Sequence, residues 1–151
     1  NTPFYCSTNS PECTEISNKN RKNTEKAFID NDVELIISGF GQKYERTRPL
    51  HKGMSEELED KRNFFYVQWM PVYITLNGPV QGDESHKNNE WTVEETAMPS
   101  FGLLNIVNGS QINYQQLDLN HNKVDSFSMI IQKEEERLNS PYYKYFVYGI
   151  L

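Results

Sequence analysis

Two cysteines open the chemical reading. Cys6 and Cys13 lie close together in the polar stretch YCSTNSPECTE. Ser, Thr, Asn and Pro between them suit a small disulfide loop formed in an oxidising compartment, with two free thiols as the alternative. Zinc fits poorly, because no second Cys or His pair stands at ligand spacing. Asn108-Gly109-Ser110 is an N-glycosylation acceptor sequence and points to the same compartment. His51 and His86 fall in loops and His121 in a hairpin turn, and all three read as solvated side chains rather than ligands. Tyr142, Tyr143, Tyr145, Phe146 and Tyr148 crowd five aromatic rings into the last ten residues, against 13% for the whole chain. They read either as a last strand covering the core or as anchors for other protein subunits.

The elements that must position these groups follow from periodicity. Residues 1–20 read as irregular and turn-rich. Residues 21–31 read as a helix, with Asn23 as N-cap and Ala27 and Phe28 on one side. Val33–Ile37 is short and β-branched and ends at Ser38-Gly39, which predicts a buried strand and a tight turn. Residues 48–63 read as a surface loop or short helix. Pro71–Leu76 reads as a strand closed by Asn77-Gly78-Pro79, and residues 80–98 as a long polar loop. Phe101–Val107, Gln111–Leu119 and Val124–Gln132 form an antiparallel meander, its first turn marked by Asn108-Gly109. Helix, strand and meander together predict a mixed α/β or α+β class.

Composition bounds the function. The chain has 151 residues, 36% hydrophobic and 24% charged, with net charge −6. One domain is expected at that length. No apolar run approaches the roughly 18 residues of a membrane span. The acidic balance disfavours a basic face for nucleic acid. The chain opens on Asn1-Thr2-Pro3 rather than Met, so the expectation is a removed targeting segment or a piece of something longer.

The segment ISGFGQKYERTRPL resembles the purple acid phosphatase motif Gly-His-x-His-x-Tyr-Glu-Arg, with Gly39, Tyr44, Glu45 and Arg46 at the matching places. Other landmarks agree in order. Residues 1–7, NTPFYCS, are similar to a His-x-Pro-x-Tyr-Cys-Ser segment, and Cys13 to its partner cysteine in the longer animal and protist members. Pro71–Thr75 resembles the strand before the glycine-rich loop, residues 101–110 the strand and glycosylated turn near the end, and Asp125-Ser126-Phe127 the closing strand. The resemblance covers residues 1–132 and leaves 133–151 as a C-terminal extension. It implies the C-terminal half of a two-sheet α/β/β/α metallophosphoesterase sandwich. Such enzymes hold two metal ions, iron with iron, zinc or manganese, about 3.5–4 Å apart to activate a hydroxide against a phosphate ester.

This chain departs from that pattern at its ligand positions. Asn1 stands at the first His place, and Phe40 and Gln42 stand at the His-x-His pair. Phe40 has no donor atom. Neutral amide oxygens are poor partners for iron or zinc. No catalytic residue, no metal and no cofactor are therefore expected. Tyr44-Glu45-Arg46 is expected to survive as a structural motif, an Arg–carboxylate pair bracing the loop after the strand. The implied first half of the domain is missing, and a sheet cut there would carry an unpaired edge. The expected partner is that N-terminal half, in the same precursor or as a separate chain. Three functions stand: a pseudophosphatase module with a structural or interaction role in a secreted or endomembrane assembly; an active metal-dependent acid phosphatase with unusual ligands; and a β-rich protein- or carbohydrate-binding domain.

Overall fold

A computed structural model describes residues 2–41, 43–55, 65–66, 70–77 and 89–130, with the backbone alone at Phe40, Gly41, Phe65 and Tyr66. Asn1, Gln42, His86 and the aromatic cluster from Tyr142 to Tyr148 lie outside the described residues.

The helical layer comes first, and it starts earlier than residue 21. Helix α1 spans Pro11–Asn20, a π-helical turn follows at Arg21–Glu25, and α2 spans Lys26–Asp30. Ser10 is the N-cap, its hydroxyl accepting from the Cys13 amide at 3.2 Å, with Pro11 in the first turn. Ser-Pro-Glu is a helix start signal. It was hidden because the second cysteine sits inside the first turn, where a loop was expected. The layer ends in a Schellman arrangement, with Val33 N–H on the Phe28 carbonyl, Asp32 N–H on that of Ile29, and Asp32 at φ 50°.

Ten strands follow: β1 (Leu35–Gly41), β2 (Tyr44–Thr47), β3 (Leu50–His51), β4 (Met54–Ser55), β5 (Phe65–Tyr66), β6 (Val72–Asn77), β7 (Thr92–Thr96), β8 (Ser100–Asn108), β9 (Gln111–Asp118) and β10 (Lys123–Ile130). The first sheet has the order β1-β6-β2-β7, with β1 parallel to β6 and the other pairs antiparallel. The second has the order β5-β10-β9-β8 and contains the expected meander. A small ribbon, β3-β4, turns at Lys52-Gly53, both at positive φ as a type I′ hairpin requires.

Three expectations are corrected. Gly39 lies inside β1 rather than in a tight turn, because the strand runs on to Gly41. Residues 92–96, expected to be loop, form β7, whose alternating Thr and Glu suit a half-exposed strand. Residues 50–55, also read as loop or helix, form the β3-β4 ribbon, anchored by a fully buried Leu50.

Packing makes three layers. Tyr44, Val72 and Ile74 of the first sheet meet Tyr114, Phe127 and Met129 of the second. On the other side of the first sheet, Ile36, Leu50 and Tyr73 meet Tyr5, with Phe4, Phe28, Val33 and Trp91 packed around them. Each fully buried side chain of this size contributes roughly 1.5–3 kcal/mol. The mixed α/β class of the sequence reading is what the fold shows.

Candidate functional site

Strand β2 runs between β6 and β7 and is buried along its length. Successive side chains of a strand point to opposite faces, so Tyr44-Glu45-Arg46 is divided between two layers. Tyr44 and Arg46 face the second sheet. There the Tyr44 hydroxyl donates to Asp125 Oδ2 at 2.5 Å. Arg46 donates from Nε to Oδ2 at 2.6 Å and from Nη2 to Oδ1 at 2.9 Å, a bidentate pair. Arg46 is 0% exposed, and its guanidinium lies 4.9 Å from the Phe127 ring centroid. Burial raises the Asp125 carboxyl, but the hydrogen bonds and charge of Arg46 and the Tyr44 hydroxyl outweigh it and hold the group below the usual range. Burial and the Asp125 charge push the Tyr44 phenol far up, so it stays a donor.

Glu45 points the other way, toward the N-terminal segment. It accepts from Ser7 Oγ at 2.8 Å and from Thr92 Oγ1 at 2.7 Å. Burial raises its carboxyl, opposed by those two hydroxyls and by Lys43. Lys43 in turn pairs with Glu95 at 2.6 Å. The Cys6–Cys13 disulfide ties the same N-terminal segment to the start of α1. Three motifs distant in sequence, residues 5–7, 44–46 and 125–127, thus form one connected network through all three layers.

The structural reading of Tyr44, Glu45 and Arg46 is corrected in one respect. They brace neither a loop nor each other; they sit in a central strand and link it to the layers on either side. Gly39 has nothing within 4 Å of an added Cβ. Asn108 is exposed at the β8–β9 hairpin, where its side chain accepts from the Ser110 amide at 2.8 Å. His121 is exposed in the β9–β10 turn at φ 65°. His51 is not solvated: it is buried in β3, and burial lowers its imidazole.

Sequence reasoning missed Asp125 as the partner of Arg46, and Ser7 and Thr92 as partners of Glu45. It also missed Glu25, which is buried in the π turn and accepts from Tyr73 at 3.2 Å and from Tyr5. The signal available for Glu25 was its place one helical turn from Arg21, whose guanidinium lies over the Tyr5 ring at 4.4 Å. A surface pocket of about 490 Å³ opens beside it, lined by Arg21, Lys22, Glu25, His51 and Lys52 among others.

The fold has a counterpart among solved structures. A purple acid phosphatase from yellow lupin (Lupinus luteus) seeds matches 75% of this chain with a TM-score of 0.60 and 17% sequence identity. The fold is similar to part of that structure. The chain spans 20% of the length of the lupin chain. No protein-family model matches the sequence, and no curated protein does.

A fold of this kind raises the question of a metal pair. Among the described residues no group of three or more His, Cys, Asp or Glu is placed to hold an ion. The acidic groups nearest the motif, Asp125 and Glu45, are already occupied by Arg46, Tyr44, Ser7 and Thr92. The residues at the positions expected to ligate are Asn1, Phe40 and Gln42, which offer two neutral amides and a hydrocarbon ring. Among the described residues the donor set does not fit such a centre.

Proposed function

We propose that this chain is a purple acid phosphatase-like module that does not hydrolyse phosphate esters and serves a structural or interaction role within a larger secreted or endomembrane assembly. The observation that carries this reading is the fate of the motif. Tyr44, Glu45 and Arg46 are spent on buried contacts between layers, while imidazole is absent from the positions that would need it. The Cys6–Cys13 bond and an exposed Asn108 acceptor site, with no described helix able to cross a membrane, agree with a secreted or lumenal setting. On this reading Asn108 carries a glycan, residues 1–132 are the phosphatase-like part, and the tyrosines from Tyr142 to Tyr148 contact other subunits.

Metal analysis and an aryl phosphate assay on the purified native protein test the reading. Less than a tenth of an iron, zinc or manganese per chain, with no turnover above background, is expected. Stoichiometric metal with turnover would establish the alternative, an active acid phosphatase with unusual ligands.

A further inference from the structure

The helical layer and the β3–β4 ribbon enclose a cleft of about 490 Å³. Arg21, Lys22, Lys26 and Ile29 line one wall, and Lys52 of the ribbon turn lines the other. Spacings of three and four residues bring helical side chains to one face. The π turn at Arg21–Glu25 lies in the middle of that wall, and turns of this rare kind are frequent at functional sites. The volume falls within the roughly 300–1,000 Å³ of small-molecule sites. None of Gly39, Tyr44, Glu45 or Arg46 lines the cleft, so it is separate from the motif.

Its charge runs against that of the chain. Asp and Glu outnumber Lys and Arg by 21 to 15 overall. In the cleft Arg21, Lys22, Lys26 and Lys52 outnumber Glu25 and Asp30. Both of these carboxylates are already occupied. Asp30 holds Lys26 at 2.5 Å. Glu25 is 5% exposed and accepts from the Tyr5 and Tyr73 hydroxyls and, at 3.3 Å, from the Lys52 amide. The Lys22 and Lys52 side chains are exposed, and no described carboxylate lies within ion-pair distance of either. Arg21 is held in place: its Nη2 donates to Asn18 Oδ1, and its guanidinium lies over the Tyr5 ring at 4.4 Å. Asn18 takes only part of the five N–H donors of a guanidinium. His51 borders the cleft, but burial lowers its imidazole, so it adds no fixed charge.

We propose that this cleft binds a small organic molecule bearing a phosphate or sulfate monoester. The oxyanion lies between Lys22 and Lys52, which reach it from opposite walls, and accepts from the remaining N–H groups of Arg21. Ile29 and the methylene stems of Lys22 and Lys26 carry the organic part. Charge selects this class. A cation would meet four like charges, and a neutral ligand would leave both exposed ammonium groups without a counter-charge. An anion with its charge spread over several oxygens satisfies three donors at once. A long polyanion is disfavoured, because beyond the cleft it would meet a chain of net charge −6. Tyr5 and Asn18 fix Arg21 in advance, which cuts the entropy lost on binding. Ligand capture here goes beyond the module reading given above and is independent of whether the chain hydrolyses esters.

Isothermal titration calorimetry of the purified native protein with glucose 6-phosphate, glucose 6-sulfate and glucose tests it. Saturable binding of at least one ester is expected, and none of glucose. A preference for either ester supports the site and identifies its anion. The paired variant Lys22→Glu, Lys52→Glu is expected to weaken binding about tenfold or more, since a hydrogen bond to a charged group is lost on each wall. Lys123→Glu, an exposed change on β10 outside the cleft, is expected to leave it unchanged. In the parent chain, the ester is expected to slow amide exchange at residues 18–30 and 51–53, a readout that needs no variant. Absence of binding by both esters would overturn the proposal. So would binding that survives the paired variant, or that Lys123→Glu weakens equally. Release of phosphate from glucose 6-phosphate counts against the inactive-module reading alone, because glucose 6-sulfate and the paired variant still read the cleft.

Discussion

Arg46 on β2 and Asp125 on β10, 79 residues apart in sequence, meet through two parallel hydrogen bonds of 2.6 and 2.9 Å in the space between the sheets. Neither group is accessible to a substrate: Arg46 is fully buried and Asp125 nearly so. The pair fixes one sheet on the other, with Tyr44 as its third member.

Removing one partner leaves the other as an uncompensated buried charge, which costs about 3–5 kcal/mol. Asp125→Ala is therefore expected to lower the unfolding free energy by that amount, read from the shift in denaturation midpoint. Tyr44→Phe, which keeps the ring and loses one donor to a carboxylate, costs about 1–3 kcal/mol. The double variant Arg46→Met with Asp125→Leu is expected to be less destabilised than Asp125→Ala. Urea denaturation monitored by tryptophan fluorescence measures all three.

Glu45 and Asp125 titrate in opposite senses. Burial raises the folded pKa of Glu45 above its unfolded value of about 4.3. Its contribution is complete below that pH and is lost as pH rises through the folded value. Arg46 and Tyr44 outweigh burial at Asp125 and lower its folded pKa below about 3.9. Its contribution is complete above that pH and is lost as pH falls through the folded value. Stability profiles of Glu45→Gln and Asp125→Asn against the parent chain should thus diverge on different limbs. The first removes a loss that begins above about pH 4.3, and the second removes a loss below about pH 3.9. A Glu45→Gln difference that does not change with pH above 4.3 would contradict the assignment.

Reduction of Cys6–Cys13 opens a short loop whose closure is worth about 2–3 kcal/mol. The two cysteines join the N-terminal segment to the first turn of α1. Dithiothreitol, or the Cys6→Ser, Cys13→Ser pair, is expected to lower the thermal midpoint and to speed amide exchange first at residues 5–17. Uniform loss of protection across the second sheet would argue against this local anchoring.

Gly102 lies against the Tyr114 ring, and a Cβ there would collide with the phenol. Gly102→Ala is expected to cost about 1–3 kcal/mol by overpacking. Pairing it with Tyr114→Phe should recover part of that loss, because the hydroxyl is the nearest obstacle. Differential scanning calorimetry of the single and double variants checks the coupling.

Much of this was legible in residue order. The meander was found because Ile112, Tyr114, Phe127 and Met129 stand at strand spacing and the loops between strands are short. Strand β7 was not, because Thr92 to Thr96 bears one apolar side chain and looks like solvated loop until Arg46 and Glu45 are placed beside it. Helix α1 was lost because Ser10 and Pro11 fit a turn as well as a cap, and only the accepted Cys13 amide distinguishes them. At the site, the motif residues could be picked out, but their partners could not. A bidentate pair between positions 46 and 125 leaves no local pattern, since nothing short of the folded sheets brings those strands together.

The division of Tyr44-Glu45-Arg46 between two layers has a consequence for how the chain finds its alignment. A slip of β2 by one residue exchanges its faces. Glu45 would then be set against the Asp125 carboxylate, and Arg46 would leave its only counter-charge on that strand for the hydroxyls of Ser7 and Thr92. Alternation of acid and base at adjacent positions makes the tripeptide a key that fits in one orientation. Misaligned pairings of β2 with β6 and β7 are penalised by like-charge repulsion once the two sheets pack together.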